Sequence, residues 1–243
     1  MNVVDCIQGS PEWKAARCGL LTASRCGDMM ARTKTGPGAS RGAYLAELVI
    51  ERLTGAPLDH FVSQAMRDGT ERQPEALRLY SFGCLEDISE VGFVLHPAIE
   101  NFGASPDGLV GAHGLVEIKC PEPKQHLATL LGEPPRKEYV DQMQAQLAVT
   151  GRYWCDFVSY SPLFPPEMQL TRYRFTLDPG HVKALEKLLA RCKAEALKDI
   201  VAADFKRALE WLAAKKQAEM QAEAQAVEAR QQHADPETGE VVE

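Results

Sequence analysis

The sequence has no paired-cysteine motif, no long apolar run and no excess of positive charge, and each absence excludes a class of protein. Its seven cysteines are an odd number and none forms a Cys-x-x-Cys pair, which argues against a disulfide framework and against a zinc or iron–sulfur site. No segment approaches the roughly 18 apolar residues of a membrane-spanning helix. The amino terminus lacks a basic segment followed by an apolar one. We therefore expect a soluble, intracellular protein with reduced cysteines.

The charge balance is acidic, with a net charge of −7, whereas proteins that grip nucleic acid use Lys and Arg against phosphates. Much of this acidity lies at the carboxyl end, where residues 211–243 hold seven acids and three bases. An acidic protein can still carry a basic groove, and its acidic outer surface keeps DNA from binding elsewhere. Size and composition predict one globular domain at residues 1–200, a helical extension at 201–232 and a disordered acidic tail at 233–243.

Residues 105–121 carry the strongest chemical signal in the chain. Asp107 follows a proline and precedes Glu117-Ile118-Lys119 by ten residues, with glycines between them that predict a tight turn. Because side chains alternate along a strand, Glu117 and Lys119 share one face of the predicted hairpin while Ile118 points into an apolar core. Asp107 can reach the polar face from the neighbouring strand.

Those three polar residues have complementary chemical uses. Two carboxylates suit a hard cation such as Mg²⁺, which binds oxygen ligands and keeps water for a reaction. The ammonium of Lys119 can orient the attacking water or stabilise the negative charge that develops when a phosphodiester is cleaved. The arrangement is typical of a metal-dependent phosphodiesterase. The alternative is a hairpin whose Asp, Glu and Lys are simply solvated.

The remaining periodicity predicts an α/β fold, a five-stranded mixed sheet flanked by helices. A proline at residue 74 predicts a kink or a new start in one helix, and Ala65 and Met66 are among its candidate buried positions. The polar stretch at residues 32–38 predicts either a mobile loop over a charged ligand or an ordinary solvated loop. The predicted helices cover about residues 10–19, 22–31, 39–53, 63–82, 134–149 and 178–200. The predicted strands are residues 88–95, 103–110, 116–120, 154–160 and 170–177.

Five sequence blocks, taken together, give the chain a family resemblance. They are Trp13-Lys-Ala-Ala-Arg17, Thr22-Ala-Ser24, Ala65-Met-Arg-Asp-Gly69, Ser105-Pro-Asp107 with Glu117-Ile-Lys119, and Tyr139-Val-Asp-Gln142-Met-Gln144. In this order they resemble the lambda-type phage alkaline exonucleases of the PD-(D/E)xK superfamily. The resemblance implies a restriction-endonuclease-like core. It also implies a 5′-to-3′ exonuclease that digests one strand of linear duplex DNA and leaves a 3′ overhang.

The same resemblance implies roles for individual residues. Asp107 and Glu117 match the metal-binding carboxylates, the backbone carbonyl of Ile118 matches a further ligand, and Lys119 matches the catalytic lysine. A pocket for the terminal 5′-phosphate is matched by Arg17, Ser24, Ser105 and Gln142. DNA-binding positions are matched by Trp13, Lys34 and Met66. Lys34 stands where the family has an arginine. Met66 stands where the family has an apolar wedge that separates the end base pair, and the alternative is that its side chain fills the core.

One position departs from the family pattern. Where the family has an acid that contributes to a second metal site, this chain has Gln73, flanked by Glu71 and Glu75. An amide binds Mg²⁺ more weakly than a carboxylate does, so either Gln73 acts alone or one of the two glutamates supplies the charge.

The resemblance also implies cofactors and partners. These are two Mg²⁺ ions per active site (Mn²⁺ being the substitute), a homotrimeric ring, a single-strand annealing protein, 5′-phosphorylated duplex ends as substrate, no membrane, and the cytoplasm of a bacterial host of the phage or prophage. Two alternatives stay open at this point. One is a related endonuclease or RecB-like nuclease, and the other is a non-catalytic DNA-binding scaffold for recombination.

Overall fold

The computed structural model describes residues 1–34, 36, 38–59, 63–84, 86–191, 217 and 221. The chain divides into two units, residues 1–193 and 194–243. The predicted end of the last helix near residue 200, the tail at 233–243 and all but two residues of the helical extension at 201–232 lie outside the described residues. Two isolated positions in the second unit, Gln217 and Gln221, are described and are helical.

Nine strands in the described residues form two sheets. Their bounds are β1 Asn2–Val4, β2 Leu21–Thr22, β3 Ile88–Ser89, β4 Phe93–Leu95, β5 Phe102–Ala104, β6 Gly108–Val110, β7 Gly114–Lys119, β8 Trp154–Tyr160 and β9 Leu170–Thr176. One sheet has the order β1-β4-β5-β2, and the other has the order β3-β6-β7-β8-β9. In the second sheet β7 and β8 are parallel and the other neighbours are antiparallel. This five-stranded mixed sheet is the one the sequence predicts, and the α/β fold class is confirmed.

The four-stranded sheet is absent from the sequence prediction because two of the predicted strands are each divided between the sheets. Residues 88–95 break after β3 and resume as β4, and residues 103–110 break between β5 and β6. The first break contains Gly92, whose added Cβ would lie 2.2 Å from the carbonyl oxygen of Cys6. The second contains Pro106, which cannot donate to a strand ladder. Each break spans only three residues, too few to interrupt the pattern visibly, so the sequence does not reveal the change of partner.

Seven helices lie between and after these strands in the described residues. They are α1 Pro11–Arg17, α2 Cys26–Met30, α3 Ala39–Thr54, α4 Gln64–Phe82, α5 Pro123–Leu130, α6 Lys137–Thr150 and α7 Pro179–Arg191, with 3₁₀ turns at Ala23–Arg25 and Pro166–Met168. No prediction covers α5. None of the described helices has the length and apolarity that crossing a membrane requires.

The helix boundaries follow local chemistry in most places. The hydroxyl of Ser10 accepts from the backbone N–H of Trp13 and caps α1 as predicted, and Gly55 ends α3 in the left-handed conformation. Thr22 precedes the next helical turn but makes no capping hydrogen bond. Its buried hydroxyl lies instead 3.2 Å from that of Ser24 and 3.4 Å from that of Tyr44.

Helix α4 continues through Pro74 instead of starting again there. Its buried residues Ala76 and Tyr80 follow the proline and pack against the apolar face of the five-stranded sheet, and this packing holds the helix on the sheet. Ala65 and Met66 lie at its other end and are exposed, Met66 by 56%, so their predicted burial was wrong.

The core of the five-stranded sheet fixes the direction of the hairpin side chains. Val116 and Ile118 of β7 pack with Val158 and Tyr160 of β8 in one apolar cluster. Glu117 and Lys119 therefore project from the opposite face of β7, as alternation predicts. Six described cysteines are free thiols, as predicted, while Cys192 lies outside the described residues.

Candidate active site

The β6–β7 pairing places the first carboxylate opposite the second. Gly108 pairs with Val116 in the antiparallel register, so the preceding residue, Asp107, lies level with Glu117. A larger residue would not fit at position 108, because an added Cβ would lie 2.9 Å from side-chain atoms of both Ile88 and Val116. The close approach of these strands brings Asp107 over β7, where its Oδ2 accepts a 2.6 Å hydrogen bond from the N–H of Ile118.

One cavity of about 190 Å³ collects most of the residues that the sequence singles out. It is lined by the two carboxylate residues and Lys119, by Ile118, and by the residues predicted to bind phosphate. The full lining is Gln8, Trp13, Arg17, Thr22, Ala23, Ser24, Gln73, Ser105, Asp107, Glu117, Ile118, Lys119, Gln142 and Gln146. Lys34 and Met66 are exposed and lie outside this lining.

The acidic centre of the cavity is electrostatically strained. Burial, together with the negative charge of Glu117, raises the pKa of Asp107 to about 8, against the opposing effects of Lys119 and of hydrogen bonds from Ile118 and Gln73. Glu117 itself is only 2% exposed. A buried carboxylate and a partly buried one that repel each other are stabilised by a cation placed between or beside them.

Lys119 supplies one positive charge at this centre. Its Nζ lies 2.6 Å from Oε1 of Glu117 and 3.3 Å from Oε1 of Gln142, and it lies 5.0 Å from the ring centroid of Tyr139. Burial alone would lower the pKa of Lys119, but the charges of Glu117 and Asp107 outweigh it and raise the pKa. The side chain is therefore an ammonium at neutral and moderately alkaline pH.

The donor set fits a hard cation. Among the described residues no group of three or more His, Cys, Asp or Glu side chains is placed to hold an ion. The cavity instead offers two carboxylates and neutral oxygen donors, and proteins bind Mg²⁺ with one or two carboxylates while the ion keeps several waters. Of the three candidates for a further ligand, Gln73 lines the cavity, and it hydrogen-bonds to Asp107. Glu71 and Glu75 do not line it.

The other side of the cavity is cationic and rich in neutral donors. The guanidinium of Arg17 lies 3.9 Å from the ring centroid of Trp13, and its Nη2 donates to the hydroxyl of Ser24 at 3.3 Å. Burial lowers the pKa of Arg17, while Tyr44 and Glu51 act in the opposite direction. The indole N–H of Trp13 donates to Ser105 at 2.8 Å. A partly buried guanidinium with hydroxyls beside it is suited to a phosphate.

Besides Ala23, three cavity residues have no place in the sequence prediction as functional residues. Gln146 lies one turn beyond Gln142 on α6 and donates a hydrogen bond to Glu117. The i, i+4 spacing of the two glutamines could have indicated that they share a helix face. Gln8 donates to the carbonyls of Val91 and Pro106 and so supports the loop before Asp107. No local pattern identifies Gln8, since its partners lie more than 80 residues away. Thr22 contributes through the hydroxyl contacts described above.

The fold is shared with solved alkaline exonucleases. The sequence of residues 12–153 matches the family model of the YqaJ-like viral recombinase domain. This span contains Arg17, both carboxylates and Lys119. The chain belongs to the YqaJ-like viral recombinase family. Family membership supports a nuclease activity.

Solved structures agree with this assignment. The crystal structures of LHK-Exo, the alkaline exonuclease of Laribacter hongkongensis, alone and in complex with dAMP, are each 44% identical to the chain. They align over 82% of this chain and 98% of theirs, with TM-scores of 0.74 and 0.75. A phage-related exonuclease from Haemophilus somnus 129PT is 12% identical, with a TM-score of 0.54, covering 70% of this chain and 90% of its own, and shares the fold. None of the curated proteins matches the chain.

Proposed function

We propose that the protein is a Mg²⁺-dependent 5′-to-3′ exonuclease that digests one strand of linear duplex DNA and leaves 3′ single-stranded overhangs. One observation carries the proposal: a single cavity is lined both by Asp107, Glu117 and Lys119 and by the cationic group around Arg17. The first set suits hydrolysis of a phosphodiester, and the second suits a terminal phosphate. The complex of LHK-Exo with dAMP supports a site that accepts a nucleoside monophosphate.

Within this proposal each residue has a chemical task. Asp107 and Glu117, with the carbonyl of Ile118, would hold the cation, and Gln73 would give weaker support for a second one. Mg²⁺ held there would supply Lewis acidity at the scissile phosphate. Lys119 orients the attacking water and stabilises developing negative charge. Arg17, Ser24 and Ser105 hold the 5′-phosphate, while Trp13 keeps the Arg17 guanidinium in place.

The amide of Gln142, also assigned to the phosphate by resemblance, faces the carboxylate centre. It donates to Glu117 at 2.7 Å and accepts from Lys119 at 3.3 Å. We propose that it links the phosphate pocket to the hydrolytic centre. Lys34 and Met66 are proposed to contact DNA outside the cavity. The 56% exposure of Met66 favours the wedge over core filling.

A panel of three DNA substrates tests the cutting mode. We expect rapid Mg²⁺-dependent release of nucleotides from linear duplex with 5′-phosphates, slower release from 5′-hydroxyl ends, and no cutting of covalently closed circles. Mononucleotide release from strands labelled at either end reports polarity. Nicking of closed circles at a rate similar to that of linear digestion would favour the related endonuclease instead, and a chain inactive on all three with Mg²⁺ and Mn²⁺ would favour a non-catalytic scaffold.

Arg17→Ala is expected to slow initiation on 5′-phosphorylated ends by about 10- to 100-fold, because it removes a charge-assisted hydrogen bond worth roughly 1.5–3 kcal/mol. The rate on 5′-hydroxyl ends should change much less, so the preference for phosphate collapses. Arg25→Ala is the matched control, since Arg25 is committed to Asp28 at 2.6 Å and Glu47 at 2.9 Å and does not line the cavity. An Arg17→Ala chain that still discriminates phosphate from hydroxyl ends contradicts this assignment.

Assembly, location and partners are proposed from the family resemblance. They are a homotrimeric ring, the cytoplasm of a bacterial host, and recombination with a single-strand annealing protein in a phage or prophage setting. The ring would keep the enzyme on its DNA track between cuts. Light scattering of the full chain at working concentration measures the first of these, and a monomeric mass would exclude the ring.

A further inference from the structure

Two glutamines on one helix hold both oxygens of the Glu117 carboxylate. Nε2 of Gln142 donates to Oε1 at 2.7 Å, and Nε2 of Gln146 donates to Oε2 at 2.6 Å. The two residues are one helical turn apart on α6, and side chains at i and i+4 lie on the same face of a helix. Helix α6 is part of the crossover from β7 to the parallel strand β8, so the fold itself brings this face over Glu117.

Neutral donors have a particular effect on such a carboxylate. An amide N–H fixes the orientation of the carboxylate plane without adding a positive charge, whereas the ammonium of Lys119 neutralises part of the negative charge of the carboxylate. Oε1 accepts from both Gln142 and Lys119, whereas the only donor to Oε2 among the described residues is Gln146. The oxygen that keeps most of its capacity to bind a cation is therefore the one that Gln146 orients.

A second observation places Gln146 toward the cavity. The residue is completely buried and lines the cavity, and its Oε1 finds no hydrogen-bond partner among the described residues. Buried amide oxygens are almost always paired in folded proteins. A carbonyl oxygen left in this way beside two carboxylates can accept a hydrogen bond from a donor that arrives with the cation or the DNA.

We infer that Gln146 is a positioning residue for the metal site, which acts through Glu117 and completes with Gln142 a two-amide clamp on that carboxylate. The inference rests on the proposed metal-dependent activity. Residues that orient metal ligands typically change metal affinity by about 10- to 100-fold when they are replaced. Gln146 has this role although it lies on α6, outside both the β6–β7 hairpin and the group of residues assigned to the phosphate.

Gln146→Met tests the inference, because methionine keeps the length and volume of the side chain and removes the amide. We expect the Mg²⁺ concentration for half-maximal activity to rise about 10- to 100-fold, while kcat at saturating Mg²⁺ returns to near the wild-type value. The second readout is independent of activity. The rise in melting temperature on titration with Mg²⁺ should require correspondingly more metal. Gln146→Asn, whose amide is one methylene too short, should shift both readouts in the same direction and serves if the methionine variant does not fold.

Gln144→Met is the matched control. Gln144 is the same residue type on the same helix, is 3% exposed, and bonds instead to the carbonyl of Thr176 and the N–H of Asp178. It should lower stability without changing the Mg²⁺ requirement. Equal Mg²⁺ requirements for the Gln146 variants, Gln144→Met and wild type would overturn the inference alone. A wild-type chain whose activity and melting temperature ignore both Mg²⁺ and Mn²⁺ would overturn the inference together with the proposed function.

Discussion

Lys119→Met is expected to lower kcat by about 10²- to 10⁴-fold, the range found when a positioned charge or proton-transfer group is removed from an active site. Methionine matches the length of the lysine stem, so the apolar contacts of the side chain are kept. The ammonium is lost from its position 2.6 Å from Glu117 and 3.3 Å from Gln142. Lys119→Arg should not rescue activity fully, since a planar guanidinium cannot replace a compact ammonium between these partners.

The measurement has to separate catalysis from metal binding. Removing Lys119 leaves Glu117 and Asp107 with less compensating charge, which should strengthen their attraction for a cation. Rates are therefore compared at saturating Mg²⁺, with the variant's melting temperature as the test of folding. Lys183→Met, at an exposed position of α7, is the control. A Lys119→Met chain that keeps near-wild-type kcat would remove this lysine from the mechanism, and a wild-type chain with no activity to lose would revive the non-catalytic scaffold.

The hairpin could be predicted because its information is local. Alternation along β7 determines which side chains share a face, and the glycines between Asp107 and Glu117 determine that the chain turns back there. The register then follows from sequence spacing alone, which is why both carboxylates and Lys119 meet in one cavity. Capping of α1 by Ser10 and the end of α3 at Gly55 are local in the same sense.

The four-stranded sheet could not be predicted because two of its strands, β1 and β2, are very short and pair with strands that are distant in sequence. Strand β1 has three residues and pairs with β4, more than 85 positions away, and β2 has two residues and pairs in parallel with β5. Such segments carry too few residues for a period-2 pattern. The breaks that separate β3 from β4 and β5 from β6 depend on packing around Gly92 and on Pro106, which hydropathy does not show.

The surroundings of Glu117 are also tertiary information. Gln142 was assigned by resemblance to the phosphate, whereas its amide hydrogen-bonds to Glu117 and Lys119. Gln146 reaches the same carboxylate only because α6 crosses between β7 and β8. A sequence shows that two glutamines share a helix face, but which group lies under that face depends on how the crossover packs. The two DNA-binding predictions outside the cavity, Lys34 and Met66, stay predictions.

Asp107→Asn is expected to abolish Mg²⁺-dependent cleavage and at the same time to stabilise the metal-free protein. Burial and the nearby charge of Glu117 raise the pKa of Asp107 to about 8, so the ionised carboxylate is costly without a cation. Asparagine has the same shape, keeps an oxygen that can accept from the N–H of Ile118, and carries no charge. The melting temperature should rise by roughly 2–4 °C for each kcal/mol of repulsion relieved, the usual scaling for a domain of this size.

The pH dependence of this effect has a definite sign. Because the folded-state pKa of Asp107 is raised, its contribution to stability is fully present below the ordinary value of 3.8 and is lost as pH rises through about 8. The advantage of Asp107→Asn should therefore be small at acid pH, grow between about pH 4 and pH 8, and level off above that, in thermal melts with chelator present.

Mg²⁺ should raise the melting temperature of wild type but not that of Asp107→Asn, because only the wild-type site binds the ion in the folded state. The difference in melting temperature between the two proteins should therefore become smaller when Mg²⁺ is added. Asp5→Asn, at an exposed aspartate, should show neither effect. If the Asp107→Asn protein is less stable than wild type at pH 8 without metal, then Asp107 stabilises the fold as a carboxylate. The prediction that the metal-binding carboxylate lowers the stability of the metal-free protein would then be wrong.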